Sequence, residues 1–312
     1  MQSLRILRRP RAAGCERAIA IGSFDGVHRG HAEILARVRR EAAQRGIESA
    51  VLTFEPLPRE FFAPAQAPAR LSSLGEKLCE FHRHGIEAAF VQRFEAGFAA
   101  LDPEAFARRL RERHGARFVL AGEDFRFGAR RAGDAAMLRA LGEKLGFEVH
   151  VQPAVDEGGE RISSTRVREA LARGDFAAAE GLLGRPYAIT GRVMHGEKRG
   201  RTLGFPTANI RLARPKPALT GVFAVKCLGA ATRGLEGVAS LGYNPAVRSG
   251  GPATLEVFLF DFQGDLYGRR LSIEFLKKLR DEAHFASLEA LASQIQRDCD
   301  AARDFFRATG TR

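Results

Sequence analysis

The sequence predicts a doubly wound parallel α/β domain followed by an antiparallel β-barrel domain that ends in a helix. Three observations carry this. At 312 residues the chain is long enough for two hydrophobic cores. From residue 18 to about 183, short apolar strands recur roughly every 30 residues with amphipathic helices between them, the pattern of parallel strands joined by helical crossovers. Beyond residue 187 strand candidates crowd together, with turns rich in Gly, Pro and Asn and little intervening helix, as in an antiparallel barrel. The character changes at Gly184, Arg185 and Pro186, so the domains are expected at residues 1–184 and 185–312.

The first strand is expected at residues 18–21. A helix over 31–45 follows, with Ile34, Leu35, Val38 and Ala42 on one face and Gly46 as its left-handed cap. Strands at 49–54, 88–92, 117–121 and 147–152 continue the alternation, and residues 63–69, alternating Ala and Pro, read as a loop. Asp102, Pro103 and Glu104 mark a helix start: a capping carboxylate, a proline in the first turn and an acid near the positive end of the dipole. In the second half, strands are expected at 187–195, 222–228, 237–241, 254–262 and 270–279. Ser287 then caps a last helix whose Leu288, Leu291, Ile295, Cys299, Ala302 and Phe306 repeat at helical spacing.

Composition narrows the function classes. Hydrophobic residues at 45% and charged residues at 28% are globular values that argue against disorder. No uninterrupted apolar run passes four residues, so no membrane span is expected. The net charge of +12 is spread: residues 1–186 carry 30 basic and 25 acidic side chains, and residues 187–312 carry 19 and 12. No block of five like charges occurs. Nucleic acid is therefore not expected as a partner, and the surplus fits a ligand with several phosphates equally well. Cys15, Cys79, Cys227 and Cys299 are far apart and form no CxxC pair, which argues against zinc or a disulfide framework and agrees with a cytoplasmic protein.

Two stretches carry chemistry. Gly22-Ser-Phe-Asp-Gly-Val-His-Arg-Gly-His31 runs from the first strand into the first helix, where open α/β sheets bind nucleotides. Gly22, Gly26 and Gly30 let backbone approach a phosphate, and free N–H groups at the helix start add positive potential. His28 and His31, three residues apart, can face one point and donate to charge developing on phosphorus. Read from spacing alone, the same residues also fit a Gly-rich turn with two surface histidines. Ser163, Ser164, Thr165 and Arg166 open a further helix, as an anion site or as ordinary capping. The second stretch runs from Gly191 to Asn209. It holds the cations Lys198, Arg199 and Arg201, then Thr207 and Asn209 two residues apart. Their side-chain oxygens suit a hard cation such as Mg²⁺, while a charged hairpin loop explains the composition too.

The first string resembles the GxFDGxHxGH signature of nucleotidyltransferases, and the second resembles the GRxLGFPTANI motif of riboflavin kinases. Together, in this order, they resemble bacterial bifunctional riboflavin kinase/FAD synthetases over residues 18–306. The resemblance implies a Rossmann-like nucleotidyltransferase (FMN adenylyltransferase) domain and a riboflavin kinase barrel. Riboflavin, FMN and ATP are the implied small-molecule substrates, Mg²⁺ the cofactor, and FAD the product. It implies roles for Gly22, Phe24, Asp25 and Gly30, and for Asp124 in the segment 122–128, around the nucleotide and flavin. His28 and His31 are implied as catalytic, with Ser164, Thr165 and Arg166 on the triphosphate. In the barrel it implies Glu256, within Leu255-Glu256-Val257, as the base. Gly196, Lys198, Gly204, Pro206, Thr207, Asn209 and Arg280 are implied around ATP and flavin, with Thr207 and Asn209 on the metal. Asp265 to Gly268, Leu279 to Glu282 and Phe285 are similar to the remaining kinase motifs.

Two positions depart from the family pattern. Leu57 stands where Phe-x-Pro-His-Pro has its histidine, and Ala246 follows Pro245 where a threonine is common. The first removes a phosphate donor from the adenylyl-transfer half, leaving as alternative a kinase with weak or lost adenylyltransferase activity. A nucleotidyltransferase of other specificity with a ligand-binding β domain is the second alternative. Oligomeric state is not legible in the sequence.

Overall fold

The computed structural model describes residues 3–7, 15–196, 200, 204–214, 216–229, 232–243 and 253–310. Its residues divide into two compact units. One holds Met1–Pro68 and Leu74–Ser163, and the other holds Ala69–Ser73 and Ser164–Arg312.

In the first unit, β1 (Arg5–Leu7), β2 (Arg17–Ile21), β3 (Glu48–Glu55), β4 (Ala88–Arg93), β5 (Ala116–Gly122) and β6 (Glu148–Gln152) form one sheet. Its order is β1-β4-β3-β2-β5-β6, and every neighbouring pair is parallel. The helices are α1 (Arg29–Arg45), α2 (Pro58–Phe62), α3 (Leu74–Arg83), α4 (Ala96–Ala99), α5 (Pro103–His114) and α6 (Ala135–Leu145). Alternation along β2 explains the two faces: Ile19 and Ile21 pack with Leu52, Phe90, Phe106 and Leu110, while Ala18 and Ala20 pack with Leu35, Val38, Phe81 and Phe118. The sheet is thus covered on both sides, as the apolar runs require. Because β3 and β5 flank β2 on opposite sides, the carboxyl end of β2 is the switch point of the sheet. Asp102 caps α5 by accepting from the Ala105 N–H at 2.7 Å. The segment read as a loop contains a short 3₁₀ turn at Pro64–Gln66, and β7 (Asp156–Glu157) and β8 (Glu160–Arg161) form a small ladder.

The second unit begins with α7 (Ser164–Arg173) and α8 (Phe176–Leu183). A closed antiparallel barrel follows, built from β9 (Ala188–Met194), β10 (Ala208–Ile210), β11 (Gly221–Gly229), β12 (Thr232–Tyr243), β13 (Ala253–Leu259) and β14 (Arg270–Arg280), in the order β10-β13-β12-β11-β14-β9. Along β11, Val222 and Ala224 lie under the terminal helix α9 (Leu288–Thr309) with Cys299, Ala302 and Phe306. The alternate residues Phe223, Val225 and Cys227 are fully buried, and Phe223 meets Phe275 edge-on. Ser287 caps α9 as expected, accepting from the Ala290 N–H. Leu288, expected on the buried stripe, is instead 61% exposed because it lies in the first turn, ahead of the helix face that meets the barrel.

The five residues 69–73 are held by polar contacts inside this unit. The Leu71 carbonyl accepts from Tyr187 Oη at 3.1 Å and from Arg214 at 2.7 Å, and the Arg70 N–H donates to the Lys216 carbonyl. No helix among the described residues is long and apolar enough to cross a membrane.

Candidate active sites

The loop from β2 to α1 is tightly constrained. Its Gly22 N–H bonds the Leu52 carbonyl at 3.1 Å. Phe24 and Val27 take left-handed φ values of 50° and 42°, costly conformations for side-chain-bearing residues unless the surroundings hold them. Here they are held. Phe24 is 1% exposed and meets Phe81 of α3 edge-on at 5.4 Å, and Val27 is as deeply buried. Asp25 is buried beside them, and Gly30 lies buried in the first turn of α1.

This loop brings the two histidines together. His28 is the N-cap of α1, its Nδ1 accepting from the His31 N–H at 3.3 Å. The two rings stack with centroids 3.7 Å apart, and Phe24 lies 5.2 Å from His31. Burial, then the neighbouring His28 and Lys77, hold His31 well below the ordinary imidazole value. It is neutral at physiological pH, a hydrogen-bond donor rather than a charge. His31 Nδ1 is buried without a hydrogen-bond partner among the described residues.

Other expected residues of this half are placed more loosely. Asp124 is exposed, just beyond β5, and ion-paired with Arg161. Ser164, Thr165 and Arg166 form the first turn of α7, in the second unit. Leu57 is buried and precedes α2, where its N–H donates to Glu60 at 3.0 Å.

In the barrel, register assembles the second site. Asn209 on β10 pairs with Glu256 on β13, which pairs in turn with Ser240 on β12. Thr207 Oγ1 donates to Glu256 Oε2 at 3.3 Å. These residues line a cavity of about 860 Å³ together with Tyr243, Arg280 and Glu282. A smaller space of about 190 Å³, walled by Pro206, Asp265 and Tyr267, shares Thr207 with it. A Cβ on Gly196 would displace the Asn209 side-chain amide. A Cβ on Gly242 would likewise displace the Glu282 carboxylate. Partial burial raises the Glu282 carboxyl, opposed by the Tyr243 N–H and by nearby His284 and Arg280.

Arg280 lines the cavity as half of an ion pair. Its guanidinium holds Asp298 of α9 in a fork, Nε and a terminal nitrogen reaching the carboxylate at 2.8–3.1 Å. Gln294 adds a third donor to Asp298 at 2.9 Å. Gly204 is exposed. Lys198, Arg199, Arg201, Pro245 and Ala246 lie outside the described residues. The donors at Thr207, Asn209 and Glu256 are all oxygens, which fits a hard cation such as Mg²⁺. Among the described residues no group of three or more His, Cys, Asp or Glu forms a metal-ligating cluster.

Three contributors escape the sequence reading. Ser240 and Lys77 carry no local signal, the one lying within an ordinary strand and the other on an amphipathic helix. Asp298 does carry one, a carboxylate between Ile295 and Ala302 on the buried stripe of α9.

Comparison with known proteins follows this division. The FAD synthetase family model matches residues 11–166, and the riboflavin kinase family model matches residues 183–306. The Escherichia coli K12 bifunctional riboflavin kinase/FMN adenylyltransferase is 46% identical, over 95% of this chain and 94% of that protein. The Pseudomonas fluorescens and Haemophilus influenzae proteins of the same description are 46% and 42% identical, each over 95% of this chain, and over 94% and 95% of their own lengths. A crystal structure from Streptococcus pneumoniae, described as a macrolide-efflux protein, has the same fold. Its TM-score is 0.76 at 29% identity, over 96% of this chain and 98% of that one. With both halves matched in order and the likeness running nearly end to end, the chain belongs to the family of bifunctional riboflavin kinase/FMN adenylyltransferases.

Proposed function

We propose that the family's two reactions are divided between residues 1–184 and 185–312, with the catalytic roles carried by the side chains described above. The matched family models, ending at residue 166 and beginning at 183, support this division. In the barrel, riboflavin is phosphorylated by ATP to FMN, with ADP as the leaving group. Glu256 is the general base, taking the proton of the flavin 5′-hydroxyl as that oxygen attacks the γ-phosphorus. The observation that carries this role is the Glu256 carboxylate on the cavity wall, within 3.3 Å of the Thr207 hydroxyl. Thr207 and Asn209 would hold Mg²⁺, which would supply positive charge for the ATP phosphates. Arg280, fixed by Asp298, and Glu282 line the same cavity.

In the α/β half the FMN phosphate attacks the α-phosphorus of ATP, giving FAD and pyrophosphate. His28 and neutral His31 donate to the charge that develops there, at the amino end of α1 where backbone N–H groups add positive potential. Gly22, Phe24, Asp25 and Gly30 belong to this turn and the start of α1, and Asp124 follows β5, the strand next to β2. Ser164, Thr165 and Arg166 bind the departing pyrophosphate. A cytoplasmic setting belongs to the same reading, supported by four cysteines that are all free thiols.

The roles are tested by following both reactions in variants of the full chain. Glu256→Gln should lower riboflavin-to-FMN turnover by about 10²–10⁴-fold and leave FMN-to-FAD conversion unchanged. His28→Ala should do the reverse. A Glu256→Gln protein that still makes FMN at the normal rate removes the base assignment.

A further inference from the structure

Lys77 is an ionisable group that the mechanism above does not use. It stands on α3 with its side chain fully buried. Burying an ammonium costs far more in desolvation than burying the methionine or leucine that would fill the same space. Its place needs a reason other than packing.

The surroundings supply one. Lys77 Nζ donates to the Ser23 carbonyl at 3.3 Å and lies 3.9 Å from Glu55 Oε2. Thr53, also fully buried, donates its hydroxyl to the same Ser23 carbonyl at 3.3 Å. Ser23 immediately precedes Phe24, whose left-handed backbone starts the turn that carries both histidines. Phe81, four residues after Lys77 and so on the same face of α3, meets the Phe24 ring. One helix therefore grips the strained turn twice: through the carbonyl before it and through the buried ring within it. Phe24 in turn contacts His31, and His31 stacks on His28.

We propose that Lys77 is a positioning residue for adenylyl transfer, its buried ammonium fixing the Ser23 carbonyl and with it the turn that aims His28 and His31 at the phosphate. The inference rests on the assignment of adenylyl transfer to the loop from Gly22 to His31. A residue acting in this way governs the geometry of the transition state more than substrate affinity. Its removal lowers kcat and leaves KM nearly unchanged.

The test compares Lys77→Met, Lys77→Arg, Thr53→Val and His28→Ala in the full chain, measuring FMN-to-FAD and riboflavin-to-FMN turnover in the same preparations. Methionine keeps the stem and removes the charge, arginine restores a cation, and valine removes the second donor to Ser23. The expected result for Lys77→Met is a fall of about 10²-fold in kcat for FAD formation. The KM for ATP and FMN should stay within threefold and riboflavin kinase turnover within twofold. Lys77→Arg should recover at least tenfold of the loss, and Thr53→Val should lower the same kcat by a smaller factor. With His28→Ala inactive in FAD formation, a Lys77→Met protein of normal kcat overturns this proposal alone. FAD formation that survives His28→Ala overturns both this proposal and the site assignment beneath it. If Lys77→Met loses kinase turnover as well, so that folding has failed, Thr53→Val decides: an unchanged kcat overturns the proposal, and a selective fall in FAD formation upholds it.

Discussion

His114, at the last turn of α5, ties the stability of the α/β unit to pH. Its side chain is 3% exposed, with its ring against Phe90 at 4.6 Å. Burial, aided by Arg109, Arg17 and Arg113, pushes its pKa down to about 3. In the unfolded chain the imidazole titrates near 6.5. Between these values the unfolded state takes up a proton that the folded state refuses, so stability rises with pH across that window. It is complete above about pH 6.5 and declines as pH falls toward 3. The contribution lost by pH 4 is on the order of 3 kcal/mol. Thermal melting between pH 7 and pH 4 should therefore fall less steeply for His114→Leu than for the wild type; parallel curves would show that His114 does not supply the dependence. Lys77 and Asp298 make a related point at the same scale. Each is a buried charge whose value lies in what it holds, the Ser23 carbonyl for one and the Arg280 fork for the other.

At the scale of elements, α9 is the clearest case of local pattern meeting tertiary demand. Cys299, Ala302 and Phe306 repeat at helical spacing and seal one side of the barrel against Val222 and Ala224, while Leu291 and Ile295 reach the cavity that Glu256 lines. Phe306 is 3% exposed, so Phe306→Ala should cost about 3–5 kcal/mol through lost burial and the cavity left behind. Denaturant unfolding followed by kinase activity measures it, and a loss under 1 kcal/mol would mean that the helix is not integral to the barrel. Strand positions were legible where apolar residues run together, as in β11, or alternate with polar ones, as in β13. They were not legible at the start of β12, where Gly234 and Glu236 interrupt the pattern and pairing with β11 makes the strand. Three-residue β1 and β10 gave no periodic signal for the same reason: their partners, β4 on one side and β9 and β13 on the other, define them.

For the whole molecule, two reactions on one chain predict a separable dependence on metal and time. Riboflavin with ATP and Mg²⁺ should yield FMN first and then FAD. Excess chelator should stop FMN formation while far-UV circular dichroism stays unchanged, because the barrel is closed by its own strands and not by an ion. FMN that accumulates without FAD would place a defect in the half containing Leu57. The sequence by itself determined the two-part architecture and the motifs that carry the two family likenesses. Each motif is a contiguous string whose glycines, histidines and hydroxyls need only local backbone to act together. Only the tertiary structure decided how distant groups meet them: Lys77 beneath the histidine turn, Asp298 behind Arg280, and the contact between Thr207 and Glu256, a residue the family resemblance had already implied. It also decided that residues 69–73 and helices α7 and α8 belong with the barrel unit. Those placements depend on strand register and on which faces pack together, and no local run of residues encodes either.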